Sequence, residues 1–469
     1  MIPIFGHLGS LPIRVWDESR LALNALEMMG NGNLLVTHFE QAPDLWNTKP
    51  PLMIWLQLIS LKLGGVSEAS VRFPSAIAAF ITLIVVFLWA KRYVNLSYGL
   101  ISILILLCAE GYINIHGGRS GDYDALLCLF TTLSCFSFYQ YIENKSNKTL
   151  YLLFTFIALA ILTKGISALL FCPAFLIYAL YRNSLHLFLR NKHFYLGLIT
   201  SVFVVGSYYI FRNALNPGYL QLVYDNELAG RFTETIEAHK HGFWFYYLNL
   251  IDFRFPLWAY LLPGGVAFGL LTKNEELRKI TIYLSTLAIS YFLIISFAQT
   301  KLFWYDLPLF PILSLLAAIN LYIVFEFISE NNYFKYNFKF NIAASVFLFL
   351  VFIIPYQGLL ERNYKPSEII VDKPMYLFSY FMKNVIKENI NVDNKYIVYE
   401  GYNAHLQFYM HQFKLKNINC KFKDWRKLKP GDSIFVYQTA IIDFIKQNFE
   451  YRFVKTYSEI INIEIIGYK

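Results

Sequence analysis

The chain has 469 residues, 56% of them apolar and only 16% charged, with a formal net charge of +9 and a mean hydropathy of +0.41. That balance excludes a soluble globular protein of this size, which needs more polar surface to cover its core. The positive charge does not call for nucleic acid, and none is expected as a partner, because the Lys and Arg residues punctuate apolar blocks as membrane-protein loops do.

Residues 1–71 form a mixed segment holding Asp17, Glu18 and Arg20, then Glu40, Asp44 and Lys49. Met1 to Pro12 reads as the end of a hydrophobic helix, so the sequence is expected to lack one helix of about 20 residues ahead of it. Pro51 to Leu63 is apolar but too short to span, and suits the membrane surface. Ten apolar stretches follow, at 72–90, 99–115, 124–142, 149–163, 166–181, 193–212, 246–271, 280–298, 304–325 and 340–357. The fourth and fifth are short and joined by Thr163-Lys164-Gly165, which reads as a tilted or re-entrant pair.

Alternate loops carry Lys91 and Arg92; Lys145 and Lys148; Arg182, Arg190 and Lys192; Lys273, Arg278 and Lys279; and Lys335 and Lys339. Those loops are expected in the cytoplasm. The opposite, outer side then receives segment 1–71, the loops near 116–124, 164 and 213–245, the turn near 299–303 and the tail. Asn95 and Asn147 begin glycosylation sequons, but in loops placed in the cytoplasm. Cys108, Cys128, Cys135 and Cys172 fall inside apolar stretches and Cys420 is alone, so neither a disulfide framework nor a structural zinc is indicated. The many Tyr and Phe residues are expected mainly at lipid-facing or interfacial positions.

Beyond about 358 the composition changes. Tyr396–Tyr399 and Ser433–Tyr437 read as strands, 404–412 and 439–447 as helices, and 451–468 as a closing hairpin. The fold class expected is mostly α: a polytopic transmembrane helical domain over 1–357 and a small α/β domain over 358–469 outside the membrane, together with membrane lipids as partners.

The polar residues of the outer side suggest chemistry. They are Asp17, Glu18, Arg20 and Lys49, then Arg119, Asp122 and Asp124, then Lys164, His239, His241 and Lys301. Charges beside membrane spans are costly and are usually functional. A lipid-linked phosphate needs Lys or Arg to neutralise it. Transfer of a sugar from it to a hydroxyl needs a carboxylate to receive the proton, and a cation or protein positive charge for the departing phosphate. Asp17 with Arg20, Lys49 and Lys301 supplies that set. The plainer readings are a helix-start charge pair for Asp17-Glu18, juxtamembrane anchors for Lys49 and Lys164, and a local ion-paired turn for Arg119, Asp122 and Asp124.

Trp16-Asp-Glu-Ser-Arg20, Ala25-Leu-Glu-Met28 and Lys49-Pro-Pro-Leu52 with Trp55 resemble the first outer loop of GT-C-fold glycosyltransferases. Within that group the pattern is similar to bacterial aminoarabinose transferases that modify lipid A and to protein O-mannosyltransferase-like enzymes. Arg72-Phe-Pro-Ser-Ala76, Thr163-Lys-Gly165, His239-Lys-His-Gly-Phe-Trp-Phe-Tyr246 and Lys301-Leu-Phe-Trp-Tyr305 continue the ordered set across residues 12–312. The resemblance implies an inverting transfer from a polyprenyl-phosphate sugar to a lipid, glycan or protein acceptor on the periplasmic face of a bacterial inner membrane. It implies Asp17 as catalytic carboxylate with Glu18 beside it, and Arg20, Lys49, Lys164, Lys301 and Tyr305 at the donor phosphate. Asp124 and Arg119 become acceptor or structural groups and His239 a metal or phosphate contact, with a divalent metal ion either present or dispensable. Two positions depart from the pattern: Asn47-Thr48 replaces the acidic residue expected beside Lys49-Pro50, and Gly242 stands where proline is expected. A transporter or flippase of lipid-linked sugars is the rival class, normally marked by internal repeats and broken helices near the midplane, and a non-catalytic scaffold is a further one.

Overall fold

The computed structural model describes residues 2–114, 116–229, 240–330, 342–364 and 372–469. Among these, seven helices are long and apolar enough to cross a membrane, from Glu68–Tyr93 to Ile342–Tyr364, with four shorter apolar helices beside them. Helix Glu68–Tyr93 shows how the sequence sets its own limits. The Ser67 hydroxyl accepts the Ser70 N–H at 3.2 Å as an N-cap. Lys91 and Arg92 then occupy the last turn, where the helix dipole favours cations.

Basic helix ends gather at one side, where Arg182 pairs with Glu143 at 2.8 Å and Lys279 with Glu276 at 2.7 Å. The opposite ends converge on a polar centre: helix Asp124–Asn144 begins there, helix Asn147–Lys164 finishes there and Ala298 caps helix Glu275–Phe297 there.

Several of the ten expected spans are interrupted, among them 166–181, where a 3-10 stretch precedes helix Cys172–Tyr181. The stretch expected over 99–115 splits into helix Leu96–Leu107 and one short helical turn, Glu110–Ile113; the chain then leads into the loop that carries residues 116–123. The stretch expected over 246–271 breaks into Phe245–Asn249, a π-helical turn Leu250–Arg254 and a helix Leu262–Leu271. Pro256 cannot donate a helical hydrogen bond, and Arg254 at the break turns inward to Asp306 at 2.8 Å. The linker after Lys164 is a 3-10 stretch, Gly165–Leu169, entered through Gly165 at φ 57°.

A group of tyrosines departs from the lipid-facing expectation. Tyr98, Tyr112, Tyr139, Tyr141, Tyr178, Tyr283 and Tyr291 are buried inside the helical bundle. Several spend their phenol on a backbone carbonyl of another element: Tyr98 on Leu315 at 2.8 Å, Tyr112 on Ala79 at 2.6 Å and Tyr283 on Cys135 at 2.7 Å. Where water is absent, such bonds satisfy the hydroxyl and tie helices together.

The C-terminal region is a five-stranded sheet in the order Cys420–Phe422, Lys395–Ile397, Ser433–Val436, Ile460–Tyr468, Phe449–Tyr457. The first three strands are parallel and the last two antiparallel. Strand 420–422 and helix Leu377–Glu388 were not expected from the sequence. Alternation along Ser433–Val436 sends Ile434 and Val436 to one face, under helix Thr439–Asn448, and Phe435 to the other. On that second face, Phe381, Phe408 and Phe413 share one apolar cluster with Leu21, Leu23, Met53 and Ile54 of the first outer segment. The region is therefore welded to the outer segment by a common core.

His405 lies in that core, bonded through Nε2 to the Met375 carbonyl at 3.2 Å, and burial lowers its pKa from 6.5 to about 4. Unfolding therefore takes up a proton between those values. Thermal stability in detergent should fall as pH drops from 6.5 towards 4, by up to about 3 kcal/mol at ~1.4 kcal/mol per unit. His405→Phe should flatten that fall; an unchanged pH profile of Tm in the variant would count against His405 as its source.

Candidate active site at the outer helix ends

Asp17 opens helix Asp17–Asn31, and Trp16 ahead of it adopts φ 70° and ψ −116°. Glu18, next in line, is buried and fully engaged. Arg72 donates to both its oxygens, at 2.8 and 2.9 Å, and the Arg14 and Gly121 N–H groups donate at 2.7 Å each. Burial opposes charge on Glu18, but Arg72 outweighs it and holds the carboxyl below its usual range. Arg72 also donates to the carbonyls of Leu8, Leu11 and Pro12. These bonds lock the stretch before Asp17, the span 68–93 and the loop at Gly121 into one unit. Glu18 thus has no lone pair left for a proton from a substrate, so the role beside Asp17 that the sequence suggested for it becomes that of an anchor.

Asp17 itself faces His116 and Asp122, with ligand atoms of all three within 4.8 Å of one another. Nδ1 of His116 touches the Asp122 carboxylate, and the imidazole stacks on Trp304 with ring centroids 3.5 Å apart. Burial, and then the Asp122 charge, push the Asp17 carboxyl above its ordinary range. Burial would raise Asp122 too, but His116 holds it down to about 2. Neither His116 nor Asp122 was assigned a site role from sequence. Asp122 could have been found from its Asp-x-Asp spacing with Asp124, whereas His116 only becomes visible once the loop closes on Asp17.

Two of the expected phosphate-binding lysines meet beside this trio. Lys49, Lys164, Asp124 and Tyr305 line one cavity with Glu227, Tyr291 and the apolar side chains of Leu127, Ile166 and Leu170. Lys164 is buried, bonds Asp124 at 2.5 Å and lies 5.5 Å from the Tyr305 ring centroid. Lys49 approaches Glu227 at 3.6 Å and the Tyr123 ring at 5.7 Å. Glu227, unmarked in the sequence reading, also accepts the Thr48 hydroxyl at 3.0 Å. A carboxylate therefore does stand beside Lys49, contributed by a distant segment at the position where Asn47-Thr48 lack one. The cavity continues along Pro50, Gly165, Leu169 and Tyr209.

Other expected ligands lie elsewhere. Arg20 forms a two-bond pair with Asp44 at 2.7 and 2.8 Å and packs over Phe39 at 3.4 Å, so its charge is spent within the outer segment. From Asp44 the bonding continues to Asn24 at 2.9 Å, then Asn47 at 2.9 Å, then the Tyr123 hydroxyl at 2.9 Å. Asn47 thus acts as a link in a chain of hydrogen bonds. Arg119 donates to the carbonyls of Pro3 and Ile4, a structural role. Lys301 is buried and donates to the Ala298 carbonyl at 2.5 Å, at the rim of the cavity that Ala298 and Thr300 line. His239 lies outside the described residues. His241 stacks on Phe245 with centroids 4.1 Å apart.

Comparison with known proteins agrees with this architecture. A family model described as dolichyl-phosphate-mannose-protein mannosyltransferase matches residues 48–210. An undecaprenyl phosphate-alpha-4-amino-4-deoxy-L-arabinose arabinosyl transferase of Aeromonas salmonicida is 30% identical over 324 residues, covering 66% of this chain and 56% of that protein. An uncharacterized protein of Aquifex aeolicus is 25% identical over 319 residues, covering 68% and 61%. The chain thus spans well under two thirds of the length of these relatives. Among solved structures, ArnT from Cupriavidus metallidurans bound to undecaprenyl phosphate superposes with a TM-score of 0.68 at 15% identity, over 98% of this chain and 96% of that one. The Archaeoglobus fulgidus oligosaccharyltransferase AglB, in complex with an inhibitory peptide and a dolichol-phosphate, gives 0.52 at 12% identity, over 86% and 61%. The protein has the GT-C fold of membrane glycosyltransferases, and the resemblance drawn from the ordered motifs is borne out.

The Arg72–Glu18 pair gives a direct test of the anchor. Arg72→Met leaves a buried carboxylate without its partner and should cost about 3–5 kcal/mol, read as a lowered Tm. Adding Glu18→Leu should recover part of that loss. A single variant as stable as wild type would remove the pair from its structural role.

Proposed function

We propose that the protein is an integral membrane glycosyltransferase that moves one sugar from a polyprenyl-phosphate carrier of the undecaprenyl type to a hydroxyl of a lipid, glycan or protein acceptor. The observation that carries the proposal is the juxtaposition of an unpaired-by-arginine carboxylate, Asp17, with a lysine-lined cavity whose remaining walls are apolar. The phosphate would lie between Lys49 and Lys164, and the isoprenoid would follow the apolar lining past Ile166 and Leu170. The basic helix ends lie opposite this site, which supports a periplasmic placement in a bacterial inner membrane.

In the reaction, the acceptor oxygen attacks the anomeric carbon while the bond from that carbon to the phosphate oxygen breaks. The polyprenyl phosphate leaves with the bonding electron pair, and the acceptor proton passes to a carboxylate oxygen of Asp17. A single displacement inverts the anomeric configuration. Burial makes Asp17 a better proton acceptor than an exposed aspartate. Lys49 and Lys164 hold the phosphate by charge, and the carboxylates of Glu227 and Asp124 that now face them would yield to it.

The donor set suits a divalent cation: two carboxylates and an imidazole, one ligand atom each, within 4.8 Å of one another. Asp17, His116 and Asp122 would hold it, and once bound it would supply positive charge to the departing phosphate and lower the proton affinity that burial gives Asp17. Glu18, Gln57 and Gly121 fix the loop that presents Asp122, since Gln57 donates to the Gly121 carbonyl at 2.8 Å.

Membranes carrying the protein and a panel of labelled polyprenyl-phosphate sugars provide the test. Asp17→Asn should reduce transfer by about 10²–10⁴-fold while the protein inserts and binds carrier lipid normally; equal transfer by wild type and variant would remove Asp17 from the mechanism. Lys49→Ala and Lys164→Met should each raise the donor KM by roughly tenfold or more, equivalent to ~1.4 kcal/mol. Magnesium, manganese or zinc should raise the Tm of wild type but not of Asp122→Asn, whereas an equal rise in both would place any cation elsewhere.

A further inference from the structure

We propose that Trp16 and Tyr402 form a stacking surface for a saccharide ring of the acceptor, so that the C-terminal region takes part in acceptor recognition. The inference rests on the transfer reaction proposed above and names the acceptor side of the same site. Trp16 directly precedes Asp17, yet its side chain is 53% exposed. Its backbone takes φ 70° and ψ −116°, a conformation unfavourable for a bulky residue and typical of functional positions. The indole stacks on Tyr402 with centroids 4.5 Å apart and planes 15° from parallel. That stack takes up one indole face, and the half-exposed residue directly precedes Asp17.

The surroundings are those of a sugar subsite. The Arg20 guanidinium, paired with Asp44, lies 5.4 Å from the ring centroid of Trp46, itself 45% exposed. Gln407 bonds Glu40 at 2.7 Å across the junction between the two regions. Flat aromatic faces ringed by amide, carboxylate and guanidinium groups match a pyranose, which has apolar C–H faces and a polar hydroxyl rim. An interfacial belt would explain an exposed Trp at a lipid boundary, but Trp16 packs on the soluble sheet region and its neighbours are polar. The geometry of the reaction places the acceptor here as well. The leaving phosphate occupies the lysine side of Asp17, an in-line attack brings the acceptor from the other side, and Trp16 flanks Asp17.

The test uses the full chain in lipid nanodiscs, labelled with 5-fluorotryptophan, with the Trp16 fluorine signal assigned by its loss in Trp16→Phe. Methyl glycosides and disaccharides of glucose, galactose, mannose and N-acetylglucosamine are titrated, with hexanol as the apolar control. At least one saccharide should shift the Trp16 signal saturably, and Tyr402→Ala should weaken its binding several-fold. In transfer assays Trp16→Ala and Tyr402→Ala should raise the acceptor KM at least tenfold and leave undecaprenyl phosphate binding unchanged, with Trp16→Phe retaining most of the affinity. No shift with any saccharide, or a shift with hexanol alone, overturns the proposal. The donor reading is judged separately in the same nanodiscs: undecaprenyl phosphate binding that Lys49→Ala leaves intact would defeat that reading, while the saccharide titration would still decide the role of Trp16.

Discussion

The buried pair between Arg72 and Glu18 is the constraint on which the site depends. Both side chains are almost wholly buried, where an unpaired charge is prohibitive. Each therefore recruits further partners: Arg72 takes three backbone carbonyls and Glu18 two backbone N–H groups. Those partners come from the stretch before Asp17 and from the loop that presents His116 and Asp122, and Arg72 itself stands on the first long span. Satisfying one desolvated ion pair thereby fixes the distance between Asp17 and the residues that face it.

Arginine and lysine divide the labour at this surface. Arg20, Arg72 and Arg254 each lie against a buried carboxylate, with Asp44, Glu18 and Asp306 as partners. The planar fork of a guanidinium suits such fixed two-point pairing. Lys49 and Lys164 also face buried carboxylates, Glu227 and Asp124, but they line the cavity as well. A compact ammonium on a flexible stem can exchange one anionic partner for another, as binding of a phosphate in place of Glu227 or Asp124 would require. Both sets face buried carboxylates; what distinguishes them is that the two lysines line the cavity.

The outer segment and the C-terminal region share an apolar core, and polar bonds reinforce it. Tyr409 donates to Glu68 at 2.8 Å and accepts the Ile13 N–H at 3.0 Å, and Lys383 donates to the carbonyls of Gly9 and Ser10. The stretch 8–13 that leads into Asp17 is thus held from the membrane side by Arg72 and from the outer side by Lys383 and Tyr409. Helices of the C-terminal region thus support the stretch that leads into Asp17.

The amino-acid sequence by itself determined the membrane class, the approximate place of most apolar helices, the strand-and-helix character of the tail and the identity of the family it resembles. These follow from local composition, apolar run length and short motifs, all of which are properties of neighbouring residues. It also pointed to Asp17, Lys49 and Lys164, because charges at the ends of apolar runs stand out. Only the tertiary structure decided which charges neutralise one another. Arg20, expected at the donor phosphate, pairs with Asp44, and Arg119, expected as an acceptor or structural group, bonds backbone carbonyls, while His116 and Glu227 approach Asp17 and Thr48 from segments about 100 and 180 residues further along the chain. Whether a buried charge is spent on structure or left for a substrate depends on partners brought together by long-range packing, and no local pattern encodes that.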